Sequence, residues 1–297
     1  MKINKTDRQR GVLALVVLAA VYASMGLFAR YLNTGLLVFQ QVYLRVFAAF
    51  FLGLICFNKN LDFSKLKKVS QKEWLLLIFR SAAIYLFGVT LFTKAINIAK
   101  FSSVSFIGSI PITPVLAVLI LKEKLTWKKI ILILTAFLGV TLIAVKDYSQ
   151  IFTWGNGEVT SLISTFFFSA GYVTRKLHSN LLNNKEIVQI MFFFAFLMVF
   201  AVSLLKGDGL PIDNWHPVLL LTVLVAGLFN VINNFLQNYG FQKIEAILAG
   251  NILTLQSVFA VLLGFLFYKE LPNLKEWLGG IIIIASVIAM NKVAVVE

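Results

Sequence analysis

Residues 99–127, AKFSSVSFIGSIPITPVLAVLILKEKLTW, decide how the chain is read. Ser102, Ser105, Ser109 and Thr113 recur at three- and four-residue steps, which places small hydroxyls along one side of a helix. Phe101, Ile107, Leu116 and Leu119 fall on the other sides, so the segment is apolar enough to sit in lipid yet carries a polar face. Pro111 and Pro114 interrupt it. Each removes a backbone donor, and a bilayer accepts such a break only where protein or water satisfies the freed carbonyls. The helix is therefore expected to border a cavity, with both prolines in structural roles. The run closes on Lys122 and Glu123. Residues 250–277, GNILTLQSVFAVLLGFLFYKELPNLKEW, close a second apolar run on Lys269 and Glu270, which suggests a chain built twice.

The whole sequence is consistent with that reading. It has 297 residues, of which 59% are hydrophobic and 28 are Phe. The mean hydropathy of +0.87 is far above that of globular proteins. Runs of about twenty apolar residues predict an all-α integral membrane protein with ten transmembrane helices, near 11–30, 36–57, 74–95, 101–121, 128–146, 157–177, 185–206, 215–239, 244–268 and 275–293. The apolar run after the basic tail 1–10 continues past Val21-Tyr22-Ala23 to Phe28, favouring an uncleaved first span over a signal peptide. The net charge of +14 sits between apolar runs, where lipid headgroups and topology account for it, so no nucleic-acid partner is expected. The single Cys56 forms no intramolecular disulfide.

Basic residues fall on alternate loops. Lys65, Lys67, Lys68, Lys122, Lys124, Lys128, Lys129, Arg175 and Lys176 share one side with the N-terminal Lys2, Lys5, Arg8 and Arg10, and far outnumber those opposite. Both termini are expected in the cytoplasm, and a bacterial cytoplasmic membrane is the expected location. The first span ends Ser24-x-Gly26-x-x-x-Arg30-x-Leu32, and the sixth ends Ser169-x-Gly171-x-x-x-Arg175-x-Leu177. The offset between these motifs agrees within two residues with that between the Lys-Glu pairs. Two units of five spans follow, 11–146 and 157–293. Five is odd, so the second unit enters the membrane from the opposite side, giving inverted repeats.

With these motifs in view, the chain resembles the EamA family of the drug/metabolite transporter superfamily over about residues 11–293. The resemblance rests on VYLRVFAAFFLG around Arg45, on KAINIAKFSSVSF, and on Pro111 followed by the run into Lys122-Glu123. It is strengthened by Gly139, GFQKIEAILAG, the run into Lys269-Glu270, and Trp277-Leu-Gly279-Gly280. The proline common in the family's ninth span is absent, with Ser257 or Val258 nearby, which leaves a kink there open. The resemblance implies a carrier of amino acids or other small metabolites, with no cofactor, and a cavity built from the first, third, fourth, sixth, eighth and ninth spans.

Several residues are candidates for the solute site. Arg45 falls near the middle of its span, where lipid exposure would cost about 2.5–3.5 kcal/mol, so it is expected to face the bundle or water. It either attracts a carboxylate or phosphate or bonds neighbouring carbonyls as scaffold; both readings are open. Arg80 lies nearer its span's end, within snorkelling reach of the interface. Asn230, Asn233, Asn234, Gln237 and Asn238 form an amide stripe in the eighth span, which Asn251, Thr254 and Gln256 of the ninth could continue. Tyr22, Tyr43, Tyr85 and Tyr172 could wall a cavity, with Ser105 and Ser109 adding hydroxyls. Glu123 and Glu270 are expected to cap the starts of the fifth and tenth helices. No metal site or acid dyad is apparent, and Glu158 and Glu245, at helix starts, are the only plausible acids for coupling, so facilitated exchange or weak proton dependence is expected. A polytopic membrane enzyme or a lipid-handling or scaffold subunit remains the alternative. The expected partners are a small-molecule substrate and the lipid bilayer, with a homodimer left open.

Overall fold

The computed structural model describes residues 5–145, 154–211, 215–269 and 271–296. Its helices are α1 (Lys5–Leu32), α2 (Val38–Phe57), α3 (Gln71–Ser81), α4 (Thr90–Ile98), α5 (Phe101–Gly108), α6 (Ile112–Leu121), α7 (Trp127–Ala144), α8 (Asn156–Val173), α9 (Asn184–Leu205), α10 (Pro217–Lys243), α11 (Ala246–Leu253), α12 (Leu255–Tyr268) and α13 (Leu274–Val296). A π-helix, Ala82–Val89, joins α3 to α4, so these form one rod, as do α5 with α6 and α11 with α12. The described residues form an all-α membrane bundle of ten rods. Among the described residues, nine are long and apolar enough to cross a membrane. The exception is α8, which carries Ser161, Ser164, Thr165 and Ser169, all buried against neighbouring helices.

The packing has the symmetry of a repeated chain. The first rod packs on the eighth and the third on the sixth; the first on the ninth and the fourth on the sixth; the second on the eighth and the third on the seventh. The second and seventh, fourth and ninth, and fifth and tenth rods pack on each other. Exchanging the halves maps every one of these contacts onto another or onto itself, as a pseudo-two-fold requires. In the fifth and tenth rods the crossing is close enough that a Cβ on Gly279 would lie 2.5 Å from the Gly139 carbonyl oxygen.

Local chemistry explains the rod ends. Asn183 caps α9 by accepting from the backbone of Lys185 and Glu186, while Glu186 accepts from Asn183 N at 2.7 Å. His216 caps α10 through Nδ1, with Pro217 in the first turn where no donor is needed. Lys122 and Lys269 end the fourth and ninth rods in the left-handed region, at φ 55° and 54°. In the first copy, Lys122 N donates to the Val118 carbonyl, the single-bond left-handed closure, and Glu123 N returns to the Ala117 carbonyl. The repeated Lys-Glu pair thus begins as a helix stop.

Candidate functional site

The fourth rod breaks where the sequence anticipates it. Ser109 ends α5 and Pro111 precedes α6, so residues 109–111 leave the helix. Pro114 falls in the first turn of α6, where its missing donor costs nothing. The ninth rod also has an interruption, at Thr254, without a proline; the Thr254 hydroxyl donates to the Asn251 carbonyl at 2.7 Å. The third rod opens into its π-helix, which packs on α8 and α9. There Thr90 Oγ1 donates to the Tyr85 carbonyl, five residues back, and Ser164 Oγ of α8 donates to the Gly88 carbonyl. Both bonds occupy carbonyls that a wider helical turn exposes.

These irregular stretches surround a cavity of about 170 Å³. Tyr22, Arg45, Tyr85, Ser109, Tyr172, Asn230, Asn233, Gln237 and Gln256 all line it, together with Pro111 and Pro114. Its wall also includes Thr113, Thr165, Phe168, Ser169, Asn234 and Thr254. Tyr22 and Tyr172 share a 2.9 Å hydroxyl bond, Asn234 Nδ2 donates to Tyr85 Oη at 2.7 Å, and Thr113 and Ser169 share a 2.9 Å bond. Each of these pairs bridges the halves of the chain. Arg45 is 2% exposed; its Nε donates to the Gln41 carbonyl and one terminal nitrogen to Thr93 Oγ1. Among the described residues, no Asp or Glu lines the cavity.

Other expectations are corrected. Ser105 is not on the wall; its carbonyl accepts from Ser109 Oγ, keeping that hydroxyl tied to α5. Asn251 is buried and turns to Ser286 of α13, whose hydroxyl is 3.4 Å away. Asn238 folds back onto Asn234, so the amide stripe splits within its last turn. Tyr43 packs edge-on to Phe200 instead of walling the cavity. Arg80 does not snorkel: it is fully buried and donates to the Gly171 carbonyl at 2.9 Å and, more weakly, to Gln237 Oε1 at 3.5 Å.

Glu123 does cap a helix, but not the fifth. Its two oxygens accept from Ala246 N and Ile247 N, at 2.8 and 3.0 Å, so it caps α11 across the repeat boundary. Lys176 lies 3.4 Å from the same carboxylate. Glu270 lies outside the described residues. Two buried acids escape a reading by span position. Glu73 meets His178 Nδ1 at 2.5 Å, and Glu186 pairs with Lys65 at 2.9 Å. The helix-cap pattern Ser70-x-x-Glu73 could have flagged the first.

A two-repeat membrane bundle with a polar chamber at mid-length is the architecture of a membrane transporter. The chain belongs to the EamA-like transporter family, whose model matches residues 9–145 and again residues 155–292. It is 23% identical over 250 residues to an uncharacterized transporter of Synechocystis sp., a match covering 80% of this chain and 71% of the relative. A solved protein crystal structure shares the fold with a TM-score of 0.76, at 13% identity over 96% of this chain and 98% of that one.

Proposed function

We propose that this transporter is a secondary carrier moving a small polar, carboxylated solute, with amino acids the favoured class, across the bacterial cytoplasmic membrane by alternating access. Both termini face the cytoplasm in this reading. One observation carries the substrate class. Arg45 borders a chamber rich in amides and hydroxyls, and among the described residues no ion pair within 4.0 Å involves it. A buried guanidinium without a carboxylate is ready to receive one from a solute, in the two-pronged geometry that arginine favours. Rocking of the two halves about their pseudo-two-fold would expose this chamber to each side in turn.

The test is a thermal-stability screen of the detergent-purified protein against amino acids, sugars, nucleotides and organic anions, because a ligand of the folded state raises the melting temperature. Carboxylated compounds should raise it, and Arg45→Met should weaken their binding by about 10- to 100-fold, the worth of a charge-assisted bond. Arg45→Lys should recover part of the loss. A response to sugars alone, unchanged in Arg45→Met, would refute the assignment. Counterflow in proteoliposomes with the best binder then tests carriage.

A further inference from the structure

Arg80 sits below the chamber with donors to spare. It comes from the third rod, ahead of the π-helix, and is wholly buried. Nε is spent on the Gly171 carbonyl and Nη2 makes the long bond to Gln237 Oε1, but Nη1 has no partner. Gln237, itself 1% exposed, lines the chamber and leaves its own Nε2 without a partner. Two neighbouring buried side chains thus each keep a donor without an acceptor, and leaving such groups unmade is costly.

The neighbouring acid does not fill the role. Glu73 lies two turns back along α3 and interacts with Arg80 electrostatically, yet its oxygens are engaged by His178 Nδ1 and Ser179 N. Arg175, the other cation nearby, is committed to Asn184 at 2.6 Å. Tyr85, five residues on from Arg80 in the same rod, lines the chamber and accepts from Asn234 Nδ2 there. What the floor lacks is a pair of acceptor oxygens bearing negative charge.

We propose that Arg80 and Gln237 form a second anion station at the chamber floor, so that the preferred solute carries two acidic groups, one held by Arg45 and the other by Arg80. This rests on the carboxylate reading above and narrows it. Gln237 is the cover of the station: its weak bond to Nη2 yields when a carboxylate arrives, and its Nε2 then donates to the newcomer.

The experiment compares matched mono- and dicarboxylates on the full-length purified protein by thermal-shift titration: propionate against succinate, and L-alanine against L-aspartate. The second acid group should tighten binding by about tenfold in each pair. Gln237→Glu places a carboxylate beside Arg80 at nearly unchanged volume. It should raise the melting temperature by pairing the buried cation, and reduce the dicarboxylate-to-monocarboxylate affinity ratio to about one. Arg80→Gln should give the same ratio where it folds. Equal binding of both members of each pair by the wild type would overturn the second station while leaving the carboxylate site standing. A dicarboxylate preference that survives in Gln237→Glu would likewise overturn it. Silence toward all four compounds would instead remove the carboxylate reading itself.

Discussion

Glu123→Gln should loosen the end of the bundle that carries both termini. The carboxylate of Glu123 belongs to the first half and holds Ala246 N and Ile247 N of the second, with Lys176 alongside. The amide introduced by the substitution keeps one acceptor oxygen but turns an NH2 toward the other backbone donor. One charge-assisted bond of about 1.5–3 kcal/mol is therefore lost. Taking about 2 kcal/mol, the ratio of open to closed at this end rises roughly thirtyfold, since 1.4 kcal/mol is a factor of ten. The ion pair Lys243–Asp7 at the same end is partly exposed and replaces little of the loss, and Lys129–Glu245, with Lys129 buried, is unchanged by the substitution. Gly108→Cys is a suitable reporter in a Cys56→Ser background, because a side chain at 108 meets nothing within 4 Å and faces the chamber. Labelling of this cysteine by an impermeant maleimide in inside-out vesicles should accelerate by about the same factor. If the melting temperature fell but labelling did not change, Glu123 would be a cap alone and not a latch between the halves.

Two further outcomes follow from the geometry. Gly279→Val should destabilise the protein by about 3 kcal/mol, because its Cβ would sit 2.5 Å from a backbone oxygen of α7, whereas Gly280→Ala should be tolerated, its nearest neighbour being 4.0 Å away. Thermal unfolding of both variants checks this. His178 is pushed below its usual value of 6.5 by burial and then by the Arg80 charge, so its neutral ring donates Nδ1–H to Glu73. The unfolded chain takes up a proton below pH 6.5 that the folded chain refuses, so stability is full above that pH and falls below it, by up to about 1.4 kcal/mol per pH unit. The melting temperature should thus drop between pH 7.5 and 5.5, and His178→Asn should flatten the drop; an unchanged slope in the variant would place the effect elsewhere.

How far the sequence carried the fold depends on which physics was local. Apolar run length is a property of each segment, so the rods, the repeat and the break at Pro111 were legible. The eighth-span amides were legible too, because a helical period projects Asn230, Asn233 and Gln237 onto one face whatever packs against it. What failed was everything set by partners distant in sequence. Asn251 shares the amide chemistry, but Ser286 claims it from 35 residues away. Arg80 looked close enough to the interface to reach it, yet Gly171 supplies a carbonyl at shorter range. Glu123 found a helix start, as its charge demands, but the start belongs to α11. A span-by-span reading assigns a charge to its nearest helix end, and an inverted repeat offers a second one from the other half.

The two halves also part company where chemistry would. Ser24–Leu32 and Ser169–Leu177 share a motif, but Arg30 is exposed while Arg175 is buried against Asn184. Pro111 breaks the fourth rod outright, whereas Thr254 only interrupts the ninth with its own hydroxyl bond. The amides crowd the eighth rod, and its counterpart, the third, offers Tyr85 and a π-helix instead. Symmetric contacts therefore hold the scaffold, and an asymmetric set of side chains fills its centre. A scaffold with a two-fold can exchange two equivalent shapes at little cost, but a solute with distinct ends must meet distinct walls. The unequal guanidinium groups, Arg45 on the chamber wall and Arg80 beneath Gln237, would give such a solute one orientation through both shapes.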